Sequence, residues 1–394
     1  MKICVISYGC IVEHQGAVYT NPAIASLINH LAKRYEVSHV AVAASRDSSV
    51  YNDGKPIYTQ KIADSVKSVK LLPRGGSSGL RRLLVFLRNT RSILKGMTSS
   101  DLAYIFLPSY TNLMAASLAL IAGKKYSLYI GVDWKALGQM RRDALIVNAV
   151  LRKIQDSFLC LVYDRARFIL VTGREIYGEL IGPGRNVFQT IPSVSFKDCG
   201  SQNLEPVNRK NGAVNLLFVG VVNKRKGVVY LVKALSRLEA KGMGAHLHLV
   251  GSIDAKYSVL LDQEIKRGAL SRLVTFHGYM SDPVRLSKLY RESDVLVIPS
   301  LAEGFPRVIY EAMMSKVPVI ASDLPSIRGN LDGWDCVYFV PTKDPEAIAN
   351  AVCEVARDAD LRRRMVENGL EFVLTKVPKR EHYEQVEDLI DRFA

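Results

Sequence analysis

Two glutamates, Glu303 and Glu311, stand with seven residues between them just after an apolar run, Val295–Ile298. An ionised carboxylate accepts several hydrogen bonds, so such a pair suits a ligand rich in hydroxyl groups. Between them lies Gly304-Phe305-Pro306, a strand-to-helix junction with the helix predicted to open near Pro306. Such a junction presents backbone N–H groups and a positive helix end at the carboxyl edge of a parallel sheet, where anionic ligands bind in open α/β folds. Glu303 sits in the loop and Glu311 about two helical turns on, so both can face one ligand. The chemistry implied is the grip of a polyhydroxyl, anionic molecule. Two histidines, His246 and His248, alternate along a predicted strand and point one way, but no further ligands accompany them, and we read them as structural.

The elements that must position these residues alternate between strand-like apolar runs and amphipathic segments, the signature of a parallel α/β architecture. Lys2–Ser7, Val37–Ala43, Leu102–Phe106, Tyr126–Ile130 and Phe168–Val171 read as strands, and Asn21-Pro22 opens a helix with Asn21 as its cap. The pattern stops at the polar, turn-rich stretch 197–213 and restarts with Asn215–Val219, a helix over Val228–Leu238, then His246–Val250, Leu273–His277, Asp294–Ile298 and Pro318–Ala321. This layout predicts two Rossmann-like domains facing a cleft: residues 1–200, a linker over 201–213, residues 214–378, and a terminal helix over 379–394 that could dock on either domain.

With 394 residues, 48% hydrophobic and 23% charged, the chain is globular and long enough for two cores. Its six cysteines form no C-x-x-C pair, which fits reduced thiols and a cytoplasmic setting. The apolar start is too short for a signal peptide, and Leu113–Ala122 falls far below a membrane span. Residues 1–200 carry 26 Lys+Arg against 13 Asp+Glu, nearly all of the net +15. That imbalance implies an anionic partner on the first half. Leu80–Lys95 reads as a basic amphipathic helix, with Leu80, Leu83, Leu84, Leu87 and Leu94 in one stripe. It either packs on the core with a solvated basic face or docks peripherally on an anionic membrane.

Six ordered segments together resemble the family-4 retaining glycosyltransferases, whose fold is GT-B. They are the E-x7-E region around Glu303 and Glu311, Phe218–Gly227, Leu249–Ser252, Phe276–Tyr279, Asp294–Ser300 and Pro318–Ala321. The resemblance is close over roughly residues 214–345 and only in outline before them. It implies transfer of a hexose or a derivative from a nucleotide diphosphate sugar, without metal or other cofactor, to a cell-surface polysaccharide or a lipid-linked glycan. It further implies that Lys226 binds the donor diphosphate, Glu311 the ribose and Glu303 the transferred sugar. Gly304 and Phe305 would contribute backbone amides, and Gly278 and Tyr279 would lie near the base. Retention in this group is attributed to front-face attack, so no protein nucleophile is assigned. Gly16, with Ala17, resembles the family's Gly-Gly loop near phosphate or acceptor, a plain turn glycine being the alternative.

The sequence also departs from the pattern. Val221 replaces the arginine usual after the first strand's glycine, and Lys224 or Arg225 either supplies that charge or is a solvated loop residue. Asp133 stands where a histidine is often found, as a cleft residue or a helix cap. Lys316 replaces a glycine at a helix end. A dinucleotide fingerprint is missing from Ser7–Val12, which disfavours an oxidoreductase, and nucleic acid is not expected as a partner. A nucleotide-sugar hydrolase or epimerase on the same fold, or a non-catalytic scaffold, are the rival readings. Base, sugar, acceptor and oligomeric state are not encoded legibly.

Overall fold

The computed structural model describes residues 1–43, 51–52, 55–56, 60–71, 79–131, 149–172, 174–190, 212–280, 282–377 and 381–394. The chain forms two compact units, one of Met1–Ile191 with Arg380–Ala394 and one of Pro192–Lys379. Each is built on a parallel sheet with helices between the strands.

In the first unit the strands are β1 (Lys2–His14), β2 (Ala17–Thr20), β3 (Glu36–Ala43), β4 (Tyr51–Asn52), β5 (Lys55–Pro56), β6 (Gln60–Lys61), β7 (Lys67–Leu71), β8 (Leu102–Leu107), β9 (Tyr126–Ile130), β10 (Ile169–Thr172) and β11 (Val187–Thr190). Seven run parallel in the order β7-β3-β1-β8-β9-β10-β11. Alternate residues of β1 enter opposite cores. Cys4 and Ile6 pack with Ile93 and Met97 of the helix Gly79–Thr98, and Ile3 and Val5 with the helix Pro22–Leu31. Such two-sided burial is what near-continuous apolar strands require. Asn21 caps the helix Pro22–Leu31 as its sequence predicts, accepting from the Ala23 N–H at 3.0 Å.

The strand expected to stop at Ser7 runs on to His14. It slips register against β3 between Ile6 and Cys10, then folds back on β2 through Gln15-Gly16. Both turn residues have positive φ, 49° and 76°, the geometry that suits a two-residue hairpin to the twist of its strands.

The terminal helix, His382–Phe393, belongs to the first unit. Val386, Leu389 and Ile390 sit in its core. Around them Glu387 meets His30 Nε2 at 2.7 Å, and Asp391 meets Arg34 at 2.6 Å and the Tyr35 hydroxyl at 2.5 Å.

The leucine stripe of the basic helix Gly79–Thr98 divides, with Leu94 half-buried against the core and Leu84 and Leu87 58% and 53% exposed. The buried face of the helix is Asn89, Ile93, Gly96 and Met97. Gly96 sets that face, because its α-carbon lies so close to the sheet that a methyl there would sit 3.2 Å from Val40 Cγ2. At 100° per residue, Leu84, Leu87, Arg88, Arg91 and Lys95 then share the outward side. Leu80 and Leu83 have side chains outside the described residues. Among the described residues no helix is long and apolar enough to cross a membrane.

The second unit contains β12 (Val214–Val219), β13 (Ala245–Val250), β14 (Val274–Gly278), β15 (Val295–Ile298), β16 (Val319–Ser322) and β17 (Val337–Val340), all parallel, in the order β14-β13-β12-β15-β16-β17. The helices Val228–Ala240 and Pro345–Arg357 close one face over Leu216, Phe218, Leu247 and Leu249. Strand order reverses between β12 and β15. In open parallel sheets that switch point, at the carboxyl ends of the strands, is where ligands bind.

Candidate active site

The loops leaving β12 and β15 meet at this switch point, and a glycine makes the meeting possible. After β12, Asn223 accepts from the Lys226 N–H at 3.1 Å and caps a single 3-10 turn, Lys224–Lys226. Gly227 ends that turn at φ 63° and starts the helix Val228–Ala240. A methyl group on Gly227 would lie 2.0 Å from the Pro299 carbonyl oxygen, so only glycine permits the approach. The Leu301 N–H then donates to the Arg225 carbonyl at 2.8 Å, stitching one loop to the other.

This packing sets two cations against Glu303, which is 7% exposed. Lys226 Nζ lies 2.5 Å from Glu303 Oε1. Arg225 Nη1 donates to Glu303 Oε2 at 2.7 Å and to the Ala302 carbonyl at 2.8 Å. The buried Ser300 hydroxyl donates to Oε1 at 2.7 Å. Burial pushes the Glu303 carboxyl up, but Lys226 and Arg225, with hydrogen bonds from Lys226 and Ser300, hold it below the usual carboxylate range. Glu303 is therefore ionised, and the cluster carries one surplus positive charge. Of about four acceptor positions on a carboxylate, three are taken. One on Oε2 remains for a ligand hydroxyl, beside cations able to meet an anion.

Glu311 lies in the first turn of the helix Val308–Met314 and is likewise 7% exposed. The Tyr290 hydroxyl donates to its Oε2 at 2.9 Å. Burial raises the Glu311 carboxyl, opposed by the Arg307 cation and by that hydrogen bond. The helix is seven residues long, so the lysine and arginine, more than a helix end, supply the positive field here.

The other expected residues are distributed as follows. Gly304 is buried, and the Phe305 ring stacks on Tyr310 with centroids 4.6 Å apart, anchoring the loop in the core. Gly278 ends β14 at φ 65°, and its carbonyl accepts from the Gly251 N–H at 2.8 Å. Gly251 in turn abuts Gly220, where a methyl would meet the Gly220 carbonyl oxygen at 2.1 Å. Gly220, Gly251 and Gly278 thus form a ledge without side chains along the ends of β12, β13 and β14, with Tyr279, half-buried, after it. Gly16 belongs to the first unit and occupies the hairpin turn after β1, with open space around its α-carbon. Asp133 lies outside the described residues.

Three residues around the two carboxylates acquire their roles only in the folded unit. Arg225 was left between charge donor and solvated residue, and its two bonds place it in the cluster. Ser300 carries the signal of an i, i+3 pairing with Glu303, but a serine at a strand end is too common to mark. Tyr290 carries no signal, since its contact with Glu311 exists only in the folded unit.

His246 bonds Thr275 at 2.8 Å, and His248 Nδ1 bonds His277 Nε2 at 3.0 Å. Among the described residues no group of three or more His, Cys, Asp or Glu side chains is arranged to hold a metal ion.

Residues 202–372 match the family model described as "Glycosyl transferases group 1". The chain is 32% identical over 161 residues to an uncharacterised glycosyltransferase of Methanocaldococcus jannaschii, covering 41% of this chain and 40% of that protein. It is 26% identical over 176 residues to the capsular polysaccharide biosynthesis glycosyltransferase CapM of Staphylococcus aureus, covering 45% of each. The matches thus span less than half the length of these curated relatives. Among solved structures, sucrose-phosphate synthase of Thermosynechococcus elongatus superposes with a TM-score of 0.69 at 18% identity, over 99% of this chain and 98% of that one. This likeness establishes the fold: two parallel-sheet Rossmann-like domains of the GT-B kind.

Proposed function

We propose that the chain is a family-4 retaining glycosyltransferase that moves a hexose or derivative from a nucleotide diphosphate sugar, bound on its second unit, to a glycan acceptor. The observation that carries this reading is the cluster of Ser300, Glu303, Arg225 and Lys226 at the switch point between β12 and β15. Lys226 would bridge the donor diphosphate and Glu303, while Glu303 Oε2 takes a sugar hydroxyl. Glu311 would accept from the ribose hydroxyls, and the glycine ledge near Gly278 and Tyr279 offers a flat seat for a base.

In the transfer step the bond from sugar C1 to the phosphate oxygen breaks, and the nucleoside diphosphate departs with the electron pair. The acceptor oxygen attacks C1 on the same face, and its proton passes to the departing phosphate oxygen. Negative charge therefore builds on the diphosphate, where Lys226 and Arg225 are already fixed and need no reorganisation. These two cations support a metal-independent mechanism.

A cell-surface polysaccharide or lipid-linked glycan is the acceptor class we favour, in view of the similarity to the capsular glycosyltransferase. The outward face of the helix Gly79–Thr98 supports peripheral contact with an anionic membrane, since exposed Leu84 and Leu87 sit beside exposed Arg88, Arg91 and Lys95.

The test is incubation of the chain with a panel of nucleotide sugars and glycan acceptors in chelator, with products read by NMR. Transfer with the donor's anomeric configuration kept is expected. Free sugar as the only product would favour a hydrolase, an isomerised donor an epimerase, and an inverted product would overturn the retaining assignment.

A further inference from the structure

The helix Pro283–Arg291 delivers one polar atom into the core of the second unit. Tyr290, near its end, is fully buried, and its hydroxyl donates to Glu311 Oε2 at 2.9 Å. A phenylalanine would fill the same space and pack the same neighbours. The phenol oxygen adds a donor on the carboxylate that phenylalanine lacks. A buried carboxylate left without donors is costly to ionise, and a freely rotating one presents no fixed oxygen. Among the described residues, the charged or titratable groups that reach Glu311 are Tyr290 from the helix Pro283–Arg291 and the exposed Arg307 at the head of its own helix. Tyr290 is thus the only one of the two held at fixed distance by burial.

We propose that Tyr290 is a positioning residue for the donor nucleotide, its phenol fixing Glu311 Oε2 so that the carboxylate turns Oε1 toward the ribose hydroxyls. This rests on the reading of Glu311 as the ribose-facing carboxylate. Tyr290 acts on the nucleotide through Glu311. Removing its oxygen leaves the Arg307 cation as the one group opposing the effect of burial, so the carboxyl binds a proton more readily and ribose recognition becomes dependent on pH.

The experiment is calorimetric titration of the wild-type chain and Tyr290→Phe with ADP, CDP, GDP and UDP, and with the 2′,3′-dideoxy form of whichever binds, between pH 6 and pH 8. The ratio of ribo to dideoxy affinity is the readout, because protonation of the phosphate affects both ligands alike and cancels. The wild type is expected to prefer the ribonucleotide by a ratio constant across this range. Tyr290→Phe should lose roughly tenfold of that preference at pH 6, the loss expected for one charge-assisted buried hydrogen bond, and regain part of it by pH 8. Its dideoxy affinity should match the wild type. An unchanged ratio at every pH in the variant overturns the proposal. Should the variant not fold, the wild type still decides, since a preference that collapses by pH 6 means Tyr290 does not keep Glu311 ionised. A wild type that binds both forms equally removes the ribose reading itself, and the proposal with it, before any variant is made.

Discussion

Replacing Gly227 with alanine tests whether the two loops of the site are as tightly locked as their geometry states. At φ 63° the new side chain sits in left-handed backbone, which costs on the order of 1–2 kcal/mol for a residue with a β-carbon. Its methyl would also lie 2.0 Å from the Pro299 carbonyl oxygen, well inside contact distance. The loops must part, and the bond from the Leu301 N–H to the Arg225 carbonyl is lost at about 1 kcal/mol. The sum is about 2–3 kcal/mol, with Arg225 and Lys226 drawn off Glu303. Gly242→Ala is the control: it has the same backbone sign, φ 68°, with nothing within 4 Å of the added methyl. Denaturant unfolding followed by circular dichroism should show Gly227→Ala less stable than Gly242→Ala by about 1 kcal/mol or more, with nucleoside diphosphate binding lost only in the former. Equal losses in the two variants would refute the claim that the loops are clamped at Gly227.

His39 is fully buried against Ser7 Oγ at 2.9 Å, and burial lowers its pKa to about 3. The unfolded chain takes up that proton more readily, so stability should be unaffected above the unfolded value near 6.5 and fall below it, by about 2 kcal/mol between pH 7 and pH 5; chemical denaturation across that range checks it, and His39→Gln should flatten the slope. Ile390→Ala, at a position 1% exposed, should cost about 2–5 kcal/mol by opening the core beneath the terminal helix, measured by the same unfolding; a loss below 1 kcal/mol would mean the helix contributes little to the first unit. The pair Leu84→Ser and Leu87→Ser, like the pair Arg88→Ser and Arg91→Ser, should weaken sedimentation with anionic vesicles, and salt should weaken the wild type too because exposed charges are screened; vesicle binding equal to the wild type in both pairs would leave that face a solvated surface.

Much of the second unit was legible because its central strands β15 and β16 are buried at every position and read as continuous apolar runs. Val295–Ile298 and the helix from Val228 stand within two residues of their expected bounds. Local chemistry was legible too, as with the cap at Asn21. What the sequence hid depends on tertiary packing. The two-residue strands β4, β5 and β6 have no periodicity to detect. Leucine spacing left open which face of the helix Gly79–Thr98 packs: Ile93, Gly96 and Met97 are buried with Leu94 half-buried beside them, while Leu84 and Leu87 are exposed. Lys316 was expected only to alter a helix end. It adopts φ 58° itself, and the Val317 N–H still bonds the Ala312 carbonyl at 2.9 Å, so the turn is kept without glycine. At the site, Glu303 and Glu311 could be named from spacing, while Arg225, Ser300 and Tyr290 acquire their roles only from the loops and helices that surround them.

The central claim is that the switch point of the second unit holds the diphosphate of a nucleotide sugar. Its most direct test is calorimetric titration of the wild-type chain and Lys226→Ala with ADP, CDP, GDP and UDP in chelator. At least one nucleotide should bind the wild type. Lys226→Ala should bind that nucleotide at least about tenfold more weakly, the loss of one charge-assisted contact, with its circular dichroism unchanged. Failure of every nucleotide to bind the wild type, or equal affinity in the folded variant, would contradict the account.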